Sequence, residues 1–336
     1  DDHRGFFIDW LGEFAKHFDE VNVIALAVGE FQLPKNVRVF SLGKERGESK
    51  LLQLLKFYFY LGRLAFKSQG IFAHSSPIFV IASWPVAFLF RKKIIFWYLH
   101  RSVTSKLKIA EFLCYKLVTA TKESLGMDSK KIIEVGHGIN MDRFKNERIW
   151  PDSDKYRLIS VGRITPIKSY ETIIRAMIIL KSRGFNLELQ IIGSPVMPGD
   201  IEYMDFLKSI VLESGLGDKI SFVGFVPYQK MITYYREADI FIGALPRGGI
   251  DKAMLEAMAS GCIVMTSNEV FKKYFGSFSS SLIFEYGKPD SLAAKIESLA
   301  GISVEGRKDM GDFLVQSVAA NHNLPILITR IAQLYK

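Results

Sequence analysis

The second half of the chain alternates short apolar runs with segments of helical spacing, and this alternation constrains the fold more than any other feature. Strands are expected at residues 156–161, 187–193, 219–223, 240–244 and 262–266. Helices are expected at residues 168–184, 203–214, 228–238 and 253–260. Strands that alternate with helices at this spacing form right-handed βαβ units. The sequence therefore predicts an α/β domain whose parallel sheet is covered by helices on both faces.

The first half shows the same alternation less regularly. Helices are expected at residues 8–18, 51–66 and 78–90, and strands at residues 21–27, 37–41, 70–73 and 93–99. The chain thus predicts two Rossmann-like domains, residues 1–150 and 151–320, followed by a C-terminal helix within residues 321–336 that packs back on the first domain. A doubly wound sheet normally opens with a strand, whereas this chain opens with a helix. We therefore expect that the first strand is missing and that the natural protein is longer.

The composition agrees with two ordinary domains and limits the classes of function. The chain has 336 residues, of which 49% are hydrophobic, enough for two full cores. Cys114 and Cys262 are too few for a disulfide framework and lie in apolar surroundings, which indicates a reduced, cytoplasmic protein. The 13-residue apolar run from Ile78 to Phe90 contains Pro85 and is shorter than the roughly 20 residues of a membrane-spanning helix. It predicts a buried helix.

The positive charge is concentrated in the first half. Residues 1–150 contain 23 Lys and Arg against 15 Asp and Glu, whereas the remainder contains 21 against 20. Such asymmetry predicts an acidic partner of the first domain: a nucleic acid, an anionic membrane surface or a phosphorylated substrate. The helix at residues 51–66 has Lys56 and Arg63 among leucines and phenylalanines, and the basic cluster of residues 91–93 follows. It is either a core-packed helix with snorkelling lysines or a peripheral membrane patch.

Two glycine-containing segments of the second half have the residues that a diphosphate requires. Gly162, Arg163 and Lys168 follow a predicted strand, where ligands bind in open α/β sheets. Arg163 offers a planar fork of donors for phosphate oxygens. Gly248 and Gly249 precede a second predicted helix, whose N-terminal N–H groups can approach a phosphate. Glu256 on that helix can accept hydrogen bonds from ribose hydroxyls. The alternatives are a solvated basic loop and a Gly-rich turn with a Glu favoured by the helix dipole.

These segments resemble the retaining glycosyltransferase family 4, the glycosyl transferases group 1, which have the GT-B fold. The family has Gly-Arg at a strand end, a Lys five residues after the Arg, and Leu-Glu-Ala-Met-Ala-x-Gly; this chain has Arg163, Lys168 and, at residues 255–261, LEAMASG. The resemblance covers nearly the whole second domain. Further matches are Val223-Gly224-Phe225-Val226, Tyr234-Tyr235 with Ala238-Asp239, and, in the first domain, Gly5, Phe14-Ala15, His100 and Gly138-Ile139-Asn140 with Asp142-Arg143-Phe144.

The resemblance implies a fold with two parallel sheets facing a central cleft, and a sugar transferred from a nucleotide-diphosphate donor to a glycan or lipid-linked acceptor. It implies that Arg163 and Lys168 hold the diphosphate, that Glu256 binds the ribose, and that His100 approaches the donor sugar from the first domain. It further implies donor contacts at Gly5, Gly193, Ser194, Phe225, Val226, Gly249, Ile250, Asp251 and Lys252.

One departure from the family pattern concerns the donor sugar. The family has a glutamate eight positions before Glu256, where this chain has Gly248. Asp251 is the expected substitute for it, and a catalytically impaired nucleotide-sugar-binding protein is the alternative function. A dinucleotide-dependent oxidoreductase is disfavoured because the sequence has no Gly-x-Gly-x-x-Gly turn after a strand. The histidines show no metal-ligand spacing and no Asp-x-Asp pair suggests a metal-held diphosphate, so we expect no metal and no other cofactor. A nucleic-acid-binding module would explain the basic charge but not the arrangement of Arg163, Lys168 and Glu256, so we expect no nucleic-acid partner.

Overall fold

The computed structural model describes residues 6–144, 148, 150 and 155–336. The chain divides into two compact units. Unit 1 contains the residues up to Asn140 together with His322–Lys336, and unit 2 contains Met141–Asn321. The chain thus enters unit 2 before residue 150, where the sequence placed the domain boundary.

The elements follow the expected alternation in both units. Unit 1 contains α1 (Phe6–Phe14), β1 (Val21–Ala25), β2 (Val37–Ser41), α2 (Lys50–Ala65), β3 (Gly70–His74), α3 (Pro77–Leu89), β4 (Lys93–Trp97), α4 (Ser105–Leu113), β5 (Lys116–Thr119) and β6 (Ile132–Glu134). Unit 2 contains α5 (Met141–Phe144), β7 (Lys155–Val161), α6 (Tyr170–Ser182), β8 (Asn186–Ile192), α7 (Pro198–Glu213), β9 (Ile220–Gly224), α8 (Met231–Glu237), β10 (Ile240–Gly243), α9 (Lys252–Ala259), β11 (Ile263–Thr266), α10 (Lys272–Phe275), α11 (Ser279–Leu282), α12 (Pro289–Ala300) and α13 (Val304–His322). The last helix, α14 (Leu324–Gln333), belongs to unit 1.

Unit 1 is built on a four-stranded parallel sheet in the order β3-β4-β5-β6, beside a separate parallel pair of β1 and β2. Side chains of β4 alternate between the two faces, as the pleat of a strand requires. Ile95 and Trp97 pack with α1 and α14, whereas Ile94 and Phe96 pack with α3 and α4. The sheet is therefore covered on both faces, and the C-terminal helix contributes to the core of unit 1.

The outer sides of α2 and α3 differ from the expectation of buried helices. On α2 only Phe57, Leu61 and Ala65 are buried, and on α3 the side chains of Phe88 and Leu89 are exposed. We expected α2 to be packed in the core and α3 to be buried, and both predictions are wrong for the sides of these helices that face solvent. Each helix is apolar around more of its circumference than the neighbouring elements cover. Among the described residues, no helix has the length and apolar character that crossing a membrane requires.

Unit 2 is built on a five-stranded parallel sheet in the order β11-β10-β7-β8-β9. The chain starts in the middle strand, β7, proceeds outwards to β9, and returns to the other side of β7 with β10 and β11. The strand order therefore reverses between β7 and β10. In open α/β sheets, ligands bind outside the carboxyl ends of the strands at such a switch point.

The start of α6 differs from the predicted helix at residues 168–184. Pro166–Lys168 form a separate 3-10 turn, and Ser169 has a φ of +46°. A positive φ interrupts a right-handed helix, so α6 begins only at Tyr170. Lys168 therefore lies in the loop before the helix, not in the helix itself.

Candidate functional site

Three glycines occupy the carboxyl ends of the adjacent strands β7, β8 and β9. Gly162, Gly193 and Gly224 have φ values of +148°, +139° and +80°, which favour residues without a Cβ. A Cβ on Gly193 would lie 2.0 Å from the carbonyl oxygen of Gly162. The N–H of Gly193 also donates to the carbonyl oxygen of Gly224 over 2.8 Å. The ends of β7 and β8 thus approach each other so closely at Gly193 that only glycine fits there.

An ion pair connects the two loops on either side of the switch point. The ammonium of Lys168, from the loop after β7, contacts the carboxylate of Asp251, from the loop after β10. Asp251 is also the N-cap of α9, because its other oxygen accepts a hydrogen bond from the N–H of Ala253 over 3.0 Å. Both side chains are about four-fifths buried. The structure therefore brings Lys168 to the N-terminus of α9, where an anion is stabilised.

Tyr170 packs under the loop after β7 and holds it through a hydrogen bond. The sequence alone did not identify this residue as part of the site. Its side chain is fully buried, and its hydroxyl donates to the carbonyl oxygen of Gly162 over 2.8 Å. Burial raises the pKa of Tyr170, so the hydroxyl remains a hydrogen-bond donor. The only sequence signal was an aromatic residue two positions after Lys168, and a buried aromatic at a helix start is too common to predict this contact.

Arg163 lies beside the start of α7. Its side chain is half exposed, and its Nε lies 4.0 Å from the carboxylate of Asp200. Asp200 is buried and accepts hydrogen bonds from the N–H groups of Val196 and Met197 over 3.2 and 3.0 Å. These two hydrogen bonds, of which the one from Met197 has the larger effect, hold the pKa of Asp200 below its ordinary value. An ionised Asp200 thus lies near an exposed guanidinium that remains accessible to a ligand.

Ser194 belongs to the same group of loops. Its carbonyl oxygen accepts a hydrogen bond from the N–H of Ile164 over 3.2 Å, so the loop after β8 runs beside the loop after β7. The structure therefore brings Gly193 and Ser194 next to the loop that contains Arg163, and their contact with a donor stays a prediction.

Glu256 is buried on α9 with unequal surroundings for its two oxygens. Oε2 accepts a hydrogen bond from the hydroxyl of buried Tyr235 over 3.1 Å. Oε1 lies 3.5 Å from the Nζ of Lys252 and accepts no hydrogen bond from the described residues. Burial raises the pKa of Glu256, and the Lys252 ammonium and the Tyr235 hydroxyl oppose that rise. Because Oε1 has a long ion pair with Lys252 but no hydrogen bond among the described residues, this atom is suited to accept a hydrogen bond from a ligand.

The loop between β10 and α9 is held in place by a hydrogen bond from Asn268, which follows the neighbouring strand β11. The side-chain amide of Asn268 donates to the carbonyl oxygen of Gly249 over 3.0 Å, and its own N–H donates to the hydroxyl of Thr266. Asn268 is completely buried and Ile250 nearly so. Asn268 is a second residue that sequence reasoning missed, because no pattern links it to a loop 19 positions earlier.

The remaining predicted site residues are more exposed or lie outside the described part of the chain. Phe225 follows β9 with an exposed side chain, and Val226 is half-buried. His100 belongs to unit 1, where its exposed ring lies edge-on to Tyr98 with 5.3 Å between the ring centroids. Gly5 lies outside the described residues. The roles of these residues stay predictions.

Metal binding has no structural support in the described part of the chain. No group of three or more His, Cys, Asp or Glu side chains in residues 6–144, 148, 150 and 155–336 could hold a metal ion. Metal independence stays a prediction.

Comparison with solved structures identifies the class of fold. HepE of Anabaena, solved with UDP and glucose, is 14% identical, and the match covers 98% of this chain and 95% of that chain with a TM-score of 0.75. Sucrose-phosphate synthase from Thermosynechococcus elongatus is 17% identical, with 98% and 92% covered and a TM-score of 0.76. The chain therefore has the GT-B fold of two Rossmann-like units, as predicted.

Residues 142–312 match the family model of the glycosyl transferases group 1. The protein belongs to this family, as the resemblance indicated.

Curated relatives agree with this assignment. The amylovoran biosynthesis glycosyltransferase AmsK of Erwinia amylovora is 34% identical over 152 residues, which are 43% of this chain and 35% of the relative. The capsular polysaccharide biosynthesis glycosyltransferase CapM of Staphylococcus aureus is 26% identical over 212 residues, 58% and 52% of the two chains. The chain thus matches about a third to a half of these relatives' lengths.

Proposed function

We propose that the protein transfers a sugar from a nucleotide-diphosphate donor to a hydroxyl group of a glycan or lipid-linked acceptor, with retention of configuration at the anomeric carbon. One observation carries this proposal. Lys168 and the N-terminus of α9, capped by Asp251, lie together at the switch point of the parallel sheet in unit 2. A cation beside a helix N-terminus is suited to a diphosphate.

The chemistry requires that negative charge on the departing diphosphate be stabilised. In the reaction, the bond between the anomeric carbon and the diphosphate oxygen breaks, and a bond from that carbon to the acceptor oxygen forms. The proton of the acceptor hydroxyl passes to the departing diphosphate. Lys168 and Arg163 would neutralise the charge that develops, and the N–H groups at the start of α9 would donate hydrogen bonds to it. The half-exposed guanidinium of Arg163 can turn to a bound phosphate without breaking a short contact.

Asp251 gives Lys168 a defined position before the donor binds. Its oxygens are engaged by Ala253 and Lys168, so a diphosphate competes with Asp251 for the ammonium. A sugar hydroxyl that donates to Asp251 must share its oxygens with these two groups or displace one of them. The proposed substitution of Asp251 for the glutamate that Gly248 replaces therefore depends on how donor binding changes the pair.

Two variants of Asp251 separate its roles. Asp251→Asn retains a good N-cap but removes the charge, whereas Asp251→Ala removes both. If Asp251 contacts the donor sugar, the two variants share an altered preference among sugars. If it only caps α9, Asp251→Asn keeps wild-type turnover. Unchanged turnover and unchanged donor preference in Asp251→Ala would exclude both roles.

Glu256 is proposed to bind the ribose through the oxygen that has no hydrogen-bond donor. An ionised carboxylate accepts from two neighbouring hydroxyls, whereas a protonated one cannot accept at both oxygens equally. Tyr235 orients Glu256 through the other oxygen. From the resemblance we also propose donor contacts at Gly249, Ile250, Lys252, Phe225, Val226 and His100.

The second candidate is a protein that binds a nucleotide sugar without transferring it. It is motivated by Gly248, which carries no side chain where the family has a glutamate, and by the engaged oxygens of Asp251. Both candidates predict nucleotide binding. Only the first predicts release of a nucleoside diphosphate during turnover.

A thermal-shift panel of UDP-, GDP- and ADP-sugars tests the shared expectation, and a donor hydrolysis assay with the sugar that binds separates the two candidates. Lys168→Ala should abolish the thermal shift. The matched control is Lys208→Ala, which removes an exposed lysine of α7 away from the switch point. A panel in which no nucleotide sugar shifts the unfolding temperature would contradict both candidates.

We further propose that the protein acts in the cytoplasm without a metal ion or other cofactor. Cys114 and Cys262 are buried and unpaired among the described residues, which suits a reducing compartment. The side chains of Lys168 and Arg163 provide positive charge that a metal ion would otherwise supply.

A further inference from the structure

The outward side of α2 is apolar and exposed. Its inward side packs through Phe57, Leu61 and Ala65, which are four residues apart and buried. The opposite side presents large apolar side chains at helical spacing, each exposed by 59% to 70%: Leu51, Leu55, Phe59 and, at the C-cap, Phe66. A helix that is apolar on opposite sides normally lies within a core. Here one of the two sides has no covering element among the described residues.

The exposed apolar surface extends over the neighbouring helices α3 and α4. The inward side of α2 packs against Ala82 and Val86 of α3, and α3 and α4 share a core above one face of the sheet. The ring of Phe66 lies edge-on to that of Phe90 at the end of α3 with 6.1 Å between centroids. Further exposed side chains lie on α3 and α4: Trp84, Phe88, Leu89, Ile109 and Phe112. We name this surface of α2, α3 and α4 the helical face.

Basic residues predominate over acidic ones in the segments that form the helical face, where Glu111 of α4 is the one acidic residue. The segment of residues 49–110, which contains α2, α3 and most of α4, has ten Lys and Arg and no Asp or Glu. Seven of the ten are exposed: Lys50, Arg63, Lys67, Arg91, Arg101, Lys106 and Lys108. A solvated protein surface normally mixes both signs. The basic residues of this segment, which lie on α2, at the end of α3 and on α4, therefore suit an anionic partner.

We infer that the helical face binds the surface of an anionic lipid bilayer. Apolar side chains on such a face enter the boundary between head groups and acyl chains, and the basic side chains meet the anionic head groups. A nucleic acid matches the charge but offers no apolar phase for side chains such as Leu51, Leu55 and Leu89. The bilayer is the partner that matches both properties at once. This inference goes beyond the proposed function and does not depend on it.

Sedimentation of the full chain with lipid vesicles tests the inference. Vesicles of phosphatidylcholine alone are compared with vesicles that contain a third phosphatidylglycerol. Binding to the anionic vesicles should be stronger by about tenfold or more, because several basic residues lie at the surface. It should weaken when salt is raised, because salt screens exposed charges. Equal binding to both vesicles, or no binding to either, would overturn the inference.

Matched variants locate the binding surface. Leu55→Ser with Phe59→Ser removes exposed apolar groups of α2, and the control Leu212→Ser removes one from α7 in unit 2, where it is 80% exposed. Only the α2 variant should lose binding to anionic vesicles. Because all three side chains are exposed, the variants should fold, and circular dichroism verifies this.

A charge variant completes the test. Lys106→Glu with Lys108→Glu should weaken vesicle binding, whereas Lys208→Glu on α7 should not. If the helical face is instead an interface between copies of this chain, analytical ultracentrifugation shows a dimer without lipid that the α2 variant dissociates, and the inference fails. Nucleotide thermal shifts measured on the same variants keep this outcome separate from a failure of the proposed function.

Discussion

Replacing Gly193 by alanine tests whether the three strand ends of unit 2 are packed as tightly as the structure shows. The residue has a φ of +139°, and a Cβ there would lie 2.0 Å from the carbonyl oxygen of Gly162. Gly184→Ala is a matched control. Its φ is +82°, but nothing lies within 4 Å of its Cβ position. Both variants place a Cβ at a positive φ, but only Gly193→Ala adds the clash.

The strain of a positive φ costs about 1–2 kcal/mol for a residue with a Cβ. Overpacking against a fixed neighbour costs about 1–3 kcal/mol more. Gly184→Ala should therefore lower the free energy of unfolding by about 1–2 kcal/mol, and Gly193→Ala by about 2–5 kcal/mol. Because Gly162 must move to relieve the clash, Gly193→Ala should also weaken nucleotide binding, whereas Gly184→Ala should leave it unchanged.

Urea denaturation followed by circular dichroism measures the first difference, and titration with UDP or the nucleotide found in the thermal-shift panel measures the second. Equal losses of stability in the two variants would show that the strand ends tolerate a side chain. Normal nucleotide binding by Gly193→Ala would refute the placement of the donor at these strand ends.

Further predictions concern the charged groups of the site. Tyr235→Phe removes a hydrogen bond that lowers the pKa of Glu256, so the pKa of this carboxyl should rise further. Nucleotide binding is expected to require the ionised carboxylate, so the variant should lose binding at a higher pH than the wild type as the pH falls. An unchanged pH profile of the dissociation constant would contradict this. Arg163→Ala and Lys168→Ala should each lower turnover by about 10²-fold or more with normal folding, measured by nucleoside diphosphate release against Lys208→Ala. Turnover should persist in a chelator, and loss that Mg²⁺ or Mn²⁺ restores would show a metal requirement.

Apolar periodicity predicted the alternating architecture because the strands of unit 2 are nearly continuous apolar runs. Element ends were less predictable, since they depend on single backbone angles. Lys168 was expected at the start of a helix, but the positive φ of Ser169 separates it into a turn. Gly193 was expected at the site, but its close approach to Gly162 could not be predicted because the two residues are 31 positions apart in the sequence.

The candidate site was predictable where a motif marks it and unpredictable where a contact spans the fold. Arg163, Lys168 and Glu256 belong to recognisable patterns. The partners that hold them are distant in sequence: Asp251 is 83 positions from Lys168 and Tyr235 is 21 from Glu256. The exposure of α2 was likewise ambiguous, because an apolar helix in a core and one at an interface have the same residues.

The most direct test of the proposed function is an experimental structure of the protein with a nucleoside diphosphate bound. Lys168 is predicted to leave Asp251 and contact a phosphate oxygen at the N-terminus of α9, with a ribose hydroxyl donating to Glu256. A diphosphate bound elsewhere, with the pair of Lys168 and Asp251 intact and Arg163 directed to solvent, would contradict the account.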